Sequence, residues 1–303
     1  MTRKKSEIST DYAGDKLLEY SYAVIIMKDE IVGLIPAAGS GTRLYPFSRA
    51  VPKEMYPILG KAVIEHCVEN LHAGGIRKIF MVVGYQKGAL MDYIGDGAFF
   101  GVSTAYIYQM KRRGLGHAIY QAKDWIDTTF AVMLGDSFIE PKSEIRELIK
   151  VHRKHKPVAT LLLFEVEDPK GYGLAKFRTI ERGSGEIEKV REKPSPEEAG
   201  EFRINGGYYA MCGGYVFEPK IFEYLKRTKP GAKGEIQITD AISLAIKNGE
   251  KVYGVVLRGK YIDIGKWRTI LHTEKELMKL LDIEAHIGER EALMERIKKG
   301  EKE

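Results

Sequence analysis

The sequence predicts an α/β fold, a mostly parallel mixed sheet covered by helices on both faces. Two observations carry that reading. Short, continuous apolar runs alternate with amphipathic runs through the first half of the chain; a strand that is apolar on both faces is buried on both. The first such run, residues 31–35, ends in Pro36-Ala37-Ala38-Gly39-Ser40-Gly41, a turn of small residues at the carboxyl end of a strand, where open α/β sheets bind ligands.

Further strand-like runs fall at 79–83, 104–108 and 130–134, and helix-like runs at 62–71, 88–94, 115–126 and 145–152. The second half adds strands at 158–164, 175–177, 208–217 and 252–257, the third of these interrupted by Gly213-Gly214. A helix opens after Gly234, with Thr239 or Asp240 as its cap. From Lys266 the pattern is helical, over 267–281 and 283–299. Three segments follow: an extension at 1–26, a domain at 27–270 and a helical segment at 271–303. Met27 directly precedes the first core strand, where an alternative start would fall.

Bulk properties narrow the class. The chain has 303 residues, 44% of them hydrophobic, enough for a sizeable core. Its formal charge of +6 suits small anionic substrates. No block of Lys and Arg interleaved with aromatics argues for nucleic acid. No apolar run approaches the ~18 residues of a membrane helix, and residues 20–27 lack a small-residue cleavage site. The expected location is cytoplasmic. Cys67 and Cys212 lack ligand or redox spacing and read as buried, reduced thiols.

The chemistry concentrates in a few places. Gly39 and Gly41 let backbone N–H groups approach a phosphate, with Arg43 and Lys53 supplying charge; taken alone, the stretch is also an ordinary turn between strand and helix. The dinucleotide fingerprint fails at Leu44, and the P-loop pattern is missing. Asp136 follows the apolar run Phe130-Ala131-Val132-Met133-Leu134-Gly135. A carboxylate there costs desolvation unless a cation or a turn satisfies it, and Mg2+ favours one or two carboxylates plus substrate phosphates. Asp263, in Tyr261-Ile262-Asp263-Ile264-Gly265, has the same character or is a plain turn aspartate. Glu192 and Lys193 would face opposite ways in an ideal strand, so a bend before Pro194 is needed for both to reach one ligand. Without it they are a surface ion pair.

The order Gly39-Ser40-Gly41-Thr42-Arg43, then Pro52-Lys53-Glu54-Met55-Tyr56-Pro57, resembles the sugar-1-phosphate nucleotidyltransferase family, and the resemblance runs to about Ile270. It implies a Rossmann-like fold of the nucleotide-diphospho-sugar transferase type, with a small β insertion and C-terminal helices. It also implies Mg2+ as cofactor, held by Asp136 and Asp263. Ala37, Ala38, Gly39, Gly41 and Thr42 would bind the nucleotide, and Gln109 with Gly114 would read its base. Gly173, Glu192, Lys193 and Gly213 would bind the sugar phosphate. Arg43, Lys53 and Lys193 would be the catalytic cations. Lys111, Arg112 and Arg113 read as a solvated loop, and His117 as a helix-face histidine.

Such a site needs no serine, cysteine or histidine nucleophile. A phosphate monoester is already ionised at neutral pH, so the obstacle is repulsion between two anions. The implied partners are a nucleoside triphosphate and a sugar 1-phosphate, with no nucleic acid and no membrane. The implied reaction is in-line attack of the sugar phosphate on the α-phosphorus with loss of pyrophosphate. Pro36-Ala37-Ala38-Gly39 and the string from Gly234 resemble UTP–glucose-1-phosphate uridylyltransferases. Gly95-Asp96-Gly97 with Phe100-Gly101-Val102 resembles glucose-1-phosphate thymidylyltransferases. UTP with glucose 1-phosphate is the expected pair. The basic helical tail makes a homo-oligomer plausible.

Overall fold

The computed structural model describes residues 30–231, 234–265, 267, 269–271, 288, 291 and 295. The expected extension at 1–26, Met27 and nearly all of the helical tail lie outside the described residues. The first half supplies strands β1 (Val32–Pro36), β2 (Lys78–Val83), β3 (Ser103–Tyr108) and β4 (Phe130–Met133). A short strand, β5 (Ser137–Glu140), follows. The second half supplies β6 (Ala159–Val166), β7 (Gly173–Phe177), β8 (Ser184–Glu192), β9 (Tyr208–Phe217) and β10 (Val252–Val256), then β11 (Lys260–Asp263).

The main sheet runs β3-β2-β1-β4-β9-β6-β10-β8-β7. Pairing is parallel from β3 through β4 and again between β6 and β10. It is antiparallel where β9 meets β4, β6 and β7, and where β8 meets β7 and β10. The α/β expectation therefore holds. The parallel pairs β1–β2 and β2–β3 are joined through helices, as crossover geometry requires, whereas antiparallel β7 and β8 are joined by a short turn.

Six principal helices cover the sheet: α1 (Val63–Ala73), α2 (Gly88–Ile94), α3 (Leu115–Tyr120), α4 (Ser143–His155), α5 (Ile221–Arg227) and α6 (Ile238–Lys247). Alternation along the buried strands splits the core. Ile35, Ala131 and Met133 pack with Val63, Cys67 and Leu148 of α1 and α4. Leu34, Phe130 and Val132 pack with Ile119, Phe222 and Ile242 of α3, α5 and α6. Phe130 stacks on Phe222 with centroids 5.2 Å apart. Each such side chain contributes about 1.5–3 kcal/mol of burial, so both faces of the sheet are held by helices. Cys67 and Cys212 are free and buried, as expected. Among the described residues no helix is long and apolar enough to cross a membrane.

Two local expectations are corrected. The helix predicted over 115–126 ends at Tyr120 because the chain tightens into shorter turns, with Ala122 N donating to Ile119 O and Trp125 N to Ala122 O. Neither Thr239 nor Asp240 caps α6. Gln237, extended, holds that position, and the Thr239 hydroxyl is engaged by Glu192.

Candidate active site

The glycine turn leaves β1 and is anchored from below. Leu44 is fully buried, which fixes the turn Thr42–Leu44 against the core. Gly41 has φ +67°, and a Cβ there would meet Ser48 Cβ at 3.0 Å and Lys53 Cβ at 3.2 Å. A Cβ on Gly39 would lie 3.6 Å from Lys53 Nζ. Both glycines thus let the loop close over Lys53. Ala37 and Ala38 are buried beneath it, and Ala37 N donates to Val82 O at 2.8 Å.

The two aspartates are brought together by a device with no clear signal in the sequence. β5 and β11 form a separate antiparallel ladder in which Asp263 stands opposite Ser137. Ile264 N then donates to Asp136 O at 3.0 Å. Lys53 Nζ pairs with Asp136 Oδ2 across the same floor. Burial works against both charges, yet the carboxylates of Asp136, Glu54 and Asp263 hold Lys53 above its ordinary pKa. Against the same burial, Lys53 and, less strongly, Arg43 hold Asp136 below its own. Gly265 closes the corner: its N–H donates to Asp263 Oδ1 at 2.7 Å, and a Cβ there would lie 2.8 Å from Arg43 Nη2. Arg43, Lys53, Asp136 and Asp263 therefore share one small region.

Beneath it lies an ion pair that sequence reasoning missed. Lys87 Nζ donates to Glu54 Oε2 at 2.6 Å, with the side chains only 4% and 1% exposed. Burial pushes Glu54 up and Lys87 down, and their contact opposes both shifts. No local pattern marks it: Glu54 lies beside Lys53 in one short turn, and Lys87 lies in the loop beyond the end of β2.

The opposite wall comes from the β insertion. Glu192 ends β8 opposite Gly173 of β7. The bend required after it is present, for Lys193 has φ +41° and its N–H donates to Tyr172 O at 3.1 Å. A non-glycine residue held there costs about 1–3 kcal/mol and marks a position fixed by its surroundings. Lys193 Nζ reaches Glu192 Oε1 at 2.7 Å, while Thr239 Oγ1 donates to Glu192 Oε2 at 2.8 Å. Gly213, φ +81°, lies at the irregularity where β9 leaves β6; a Cβ there would meet Ser137 Oγ at 2.7 Å.

At the remaining end, Gln109 follows β3 and is 3% exposed. Its carbonyl abuts Gly84, which also touches Ala38. Gly114, φ +93°, packs on a neighbouring backbone: a Cβ there would lie 2.7 Å from Ile236 O.

A cleft of about 890 Å³ collects these parts, lined by Gly39, Gly41, Thr42, Arg43 and Lys53 on one side and Glu192 with Lys193 on the other. Arg191, Gly231, Glu235, Gln237, Asp240 and Gly265 also line it and were not anticipated, apart from the carry-over of the string from Gly234. Asp240 sits high in pKa, from burial and the nearby Glu192. Ala37, Ala38, Gln109, Gly114, Asp136, Gly173, Gly213 and Asp263 do not line that cavity; Asp136 and Asp263 reach it only through Lys53 and Gly265. Among the described residues no three His, Cys, Asp or Glu side chains gather as a metal cage.

A Rossmann-like sheet carries a cleft lined by Arg43, Lys53, Arg191 and Lys193, with Asp136 and Asp263 beside it. The nucleotidyl transferase family pattern matches residues 32–279, and the chain belongs to that family, among its sugar-1-phosphate nucleotidyltransferases. It is 34% identical over 255 residues to a Methanocaldococcus jannaschii protein provisionally named a UTP–glucose-1-phosphate uridylyltransferase, covering 77% of this chain and 87% of that one. It is 32% identical over 272 residues to the glucose-1-phosphate thymidylyltransferase of Streptomyces antibioticus, covering 88% and 72%. The crystal structure of a UDP-glucose pyrophosphorylase complexed with UDP-glucose superposes with a TM-score of 0.74 at 30% identity, covering 83% of this chain and all of that one.

Proposed function

We propose that the protein transfers a uridylyl group from UTP to glucose 1-phosphate, releasing pyrophosphate. The observation that carries this reading is that Arg43, Lys53 and Lys193 line one cleft, with Asp136 paired to the lining Lys53 and Asp263 bonded to the lining Gly265. The names of similar proteins supply the nucleotide and the sugar.

The chain's own groups account for most of the work. The glycine turn offers backbone N–H groups to the triphosphate. Arg43 holds its β- and γ-phosphates, Lys53 bridges the two reacting phosphates, and Lys193 with Glu192 orients the sugar phosphate and its hydroxyls. Positioning and charge neutralisation are what this reaction needs, because the attacking phosphate oxygen carries its charge already. The donor set fits Mg2+: Asp136, just ahead of β5, and Asp263, at the end of β11, are hard carboxylate ligands that would hold it. When bound, that ion neutralises charge on the α-phosphate.

A panel of nucleoside triphosphates with glucose 1-phosphate, read by pyrophosphate release, tests the proposal. UTP should give the highest kcat/KM. Release only with purine triphosphates would overturn it. A dTTP-preferring enzyme is the second reading, favoured by the likeness to the Streptomyces antibioticus protein.

A further inference from the structure

Three carboxylates, Glu192, Glu235 and Asp240, line the cleft. Two of them are already engaged. Glu192 pairs through Oε1 with Lys193 Nζ at 2.7 Å and accepts at Oε2 from Thr239 Oγ1 at 2.8 Å. Glu235 Oε2 accepts from the Gln237 amide at 2.9 Å. The third, Asp240 in the first turn of α6, has no hydrogen bond or ion pair among the described residues. It is half-buried, and its Oδ2 lies 3.7 Å from where a Cβ on Gly231 would stand, so the cleft residue beside it has no side chain to cover it.

Burial, and then the charge of Glu192, work against the ionised form of Asp240; Arg191 and Lys247 offset them through charge alone. A partly desolvated acceptor without a donor costs free energy that a ligand can recover. A phosphate cannot supply that donor, and the cleft meets phosphate with Arg43, Lys53 and Lys193 instead. The group that suits Asp240 donates a hydrogen bond and carries no negative charge, as a sugar hydroxyl does. We propose that Asp240 is a specificity-determining residue for the acceptor, taking a hydrogen bond from a hydroxyl of a neutral hexose 1-phosphate and repelling a sugar that carries a carboxylate of its own. Two carboxylates sharing a partly desolvated cleft repel more strongly than they do in water. Arg191 and Lys193 are held by Glu198 and Glu192, so neither stands unpaired to offset that repulsion. The inference concerns the acceptor in the same cleft and rests on the uridylyl-transfer reading.

The test is kcat/KM for glucose 1-phosphate and glucuronic acid 1-phosphate, with UTP saturating, in the wild type, Asp240→Asn and Asp240→Ala. The wild type should favour glucose 1-phosphate at least about 100-fold. That ratio should fall about tenfold in Asp240→Asn, which loses the charge and keeps an acceptor oxygen, and KM for glucose 1-phosphate should rise about tenfold in Asp240→Ala. An aspartate in a first helical turn also favours the helix dipole; were that its whole role, the variants would melt earlier with the ratio fixed. A ratio unchanged in Asp240→Asn, or a wild type that uses both sugars equally, overturns the inference and leaves uridylyl transfer standing. The second of these outcomes is read on the wild type and needs no variant to fold. A wild type that releases no pyrophosphate from UTP with glucose 1-phosphate overturns both.

Discussion

At the end of the cleft proposed to hold the triphosphate, two lysines are already partnered. Lys53 meets Asp136, Lys87 meets Glu54 with both side chains almost inaccessible, and the glycine turn closes directly over Lys53. At the end proposed to hold the sugar phosphate, Lys193 is 59% exposed and pairs with Glu192, from the last bend of a β ribbon. The first arrangement fixes charge before any ligand arrives, which suits a reaction limited by repulsion. The second leaves its charge in solvent and places specificity on a connection that can vary without disturbing the sheet.

Removing either carboxylate is the strongest way to break that contrast. Asp136→Ala or Asp263→Ala should lower kcat at least about 10^4-fold, and chelation should silence the wild type until Mg2+ is restored; pyrophosphate release reads both. Next comes Lys87→Met, which strands Glu54 in the interior. It should cost about 3–5 kcal/mol in urea unfolding, while the double change Glu54→Leu with Lys87→Met recovers much of that stability.

Acid should reach the phosphate side through His66. Its Nε2–H donates to Ile58 O at 2.9 Å, and burial lowers its pKa from 6.5 to about 4. The unfolded chain therefore takes up this proton first. The stability that His66 contributes is whole above about pH 6.5 and drains away as pH falls toward 4, by up to about 3 kcal/mol. His66→Gln should flatten that part of the stability–pH curve. The smallest effect belongs to the sugar end. Lys193→Ala should raise KM for glucose 1-phosphate about tenfold, with melting temperature nearly unchanged.

The contrast also explains what was legible in the sequence. Strands buried on both faces announce themselves as continuous apolar runs, so β1 to β4 were readable. The need for a bend at Lys193 followed from simple alternation, and φ +41° supplies it. Contacts made across the fold were not readable. No local pattern tells that β5 will pair with β11, or that Thr239 will leave helix capping for Glu192. The Glu54–Lys87 pair belongs to the same class, because its meaning lies in a distance between two turns.

The ladder of β5 and β11 has a consequence for synthesis on the ribosome. Asp136 emerges after the glycine turn and Lys53. Its companion Asp263 emerges more than a hundred residues later, on a strand that pairs back with β5. On the proposed reading, the glycine turn and Lys53 precede the second carboxylate by most of the fold, so both carboxylates stand together only once β11 has paired with β5.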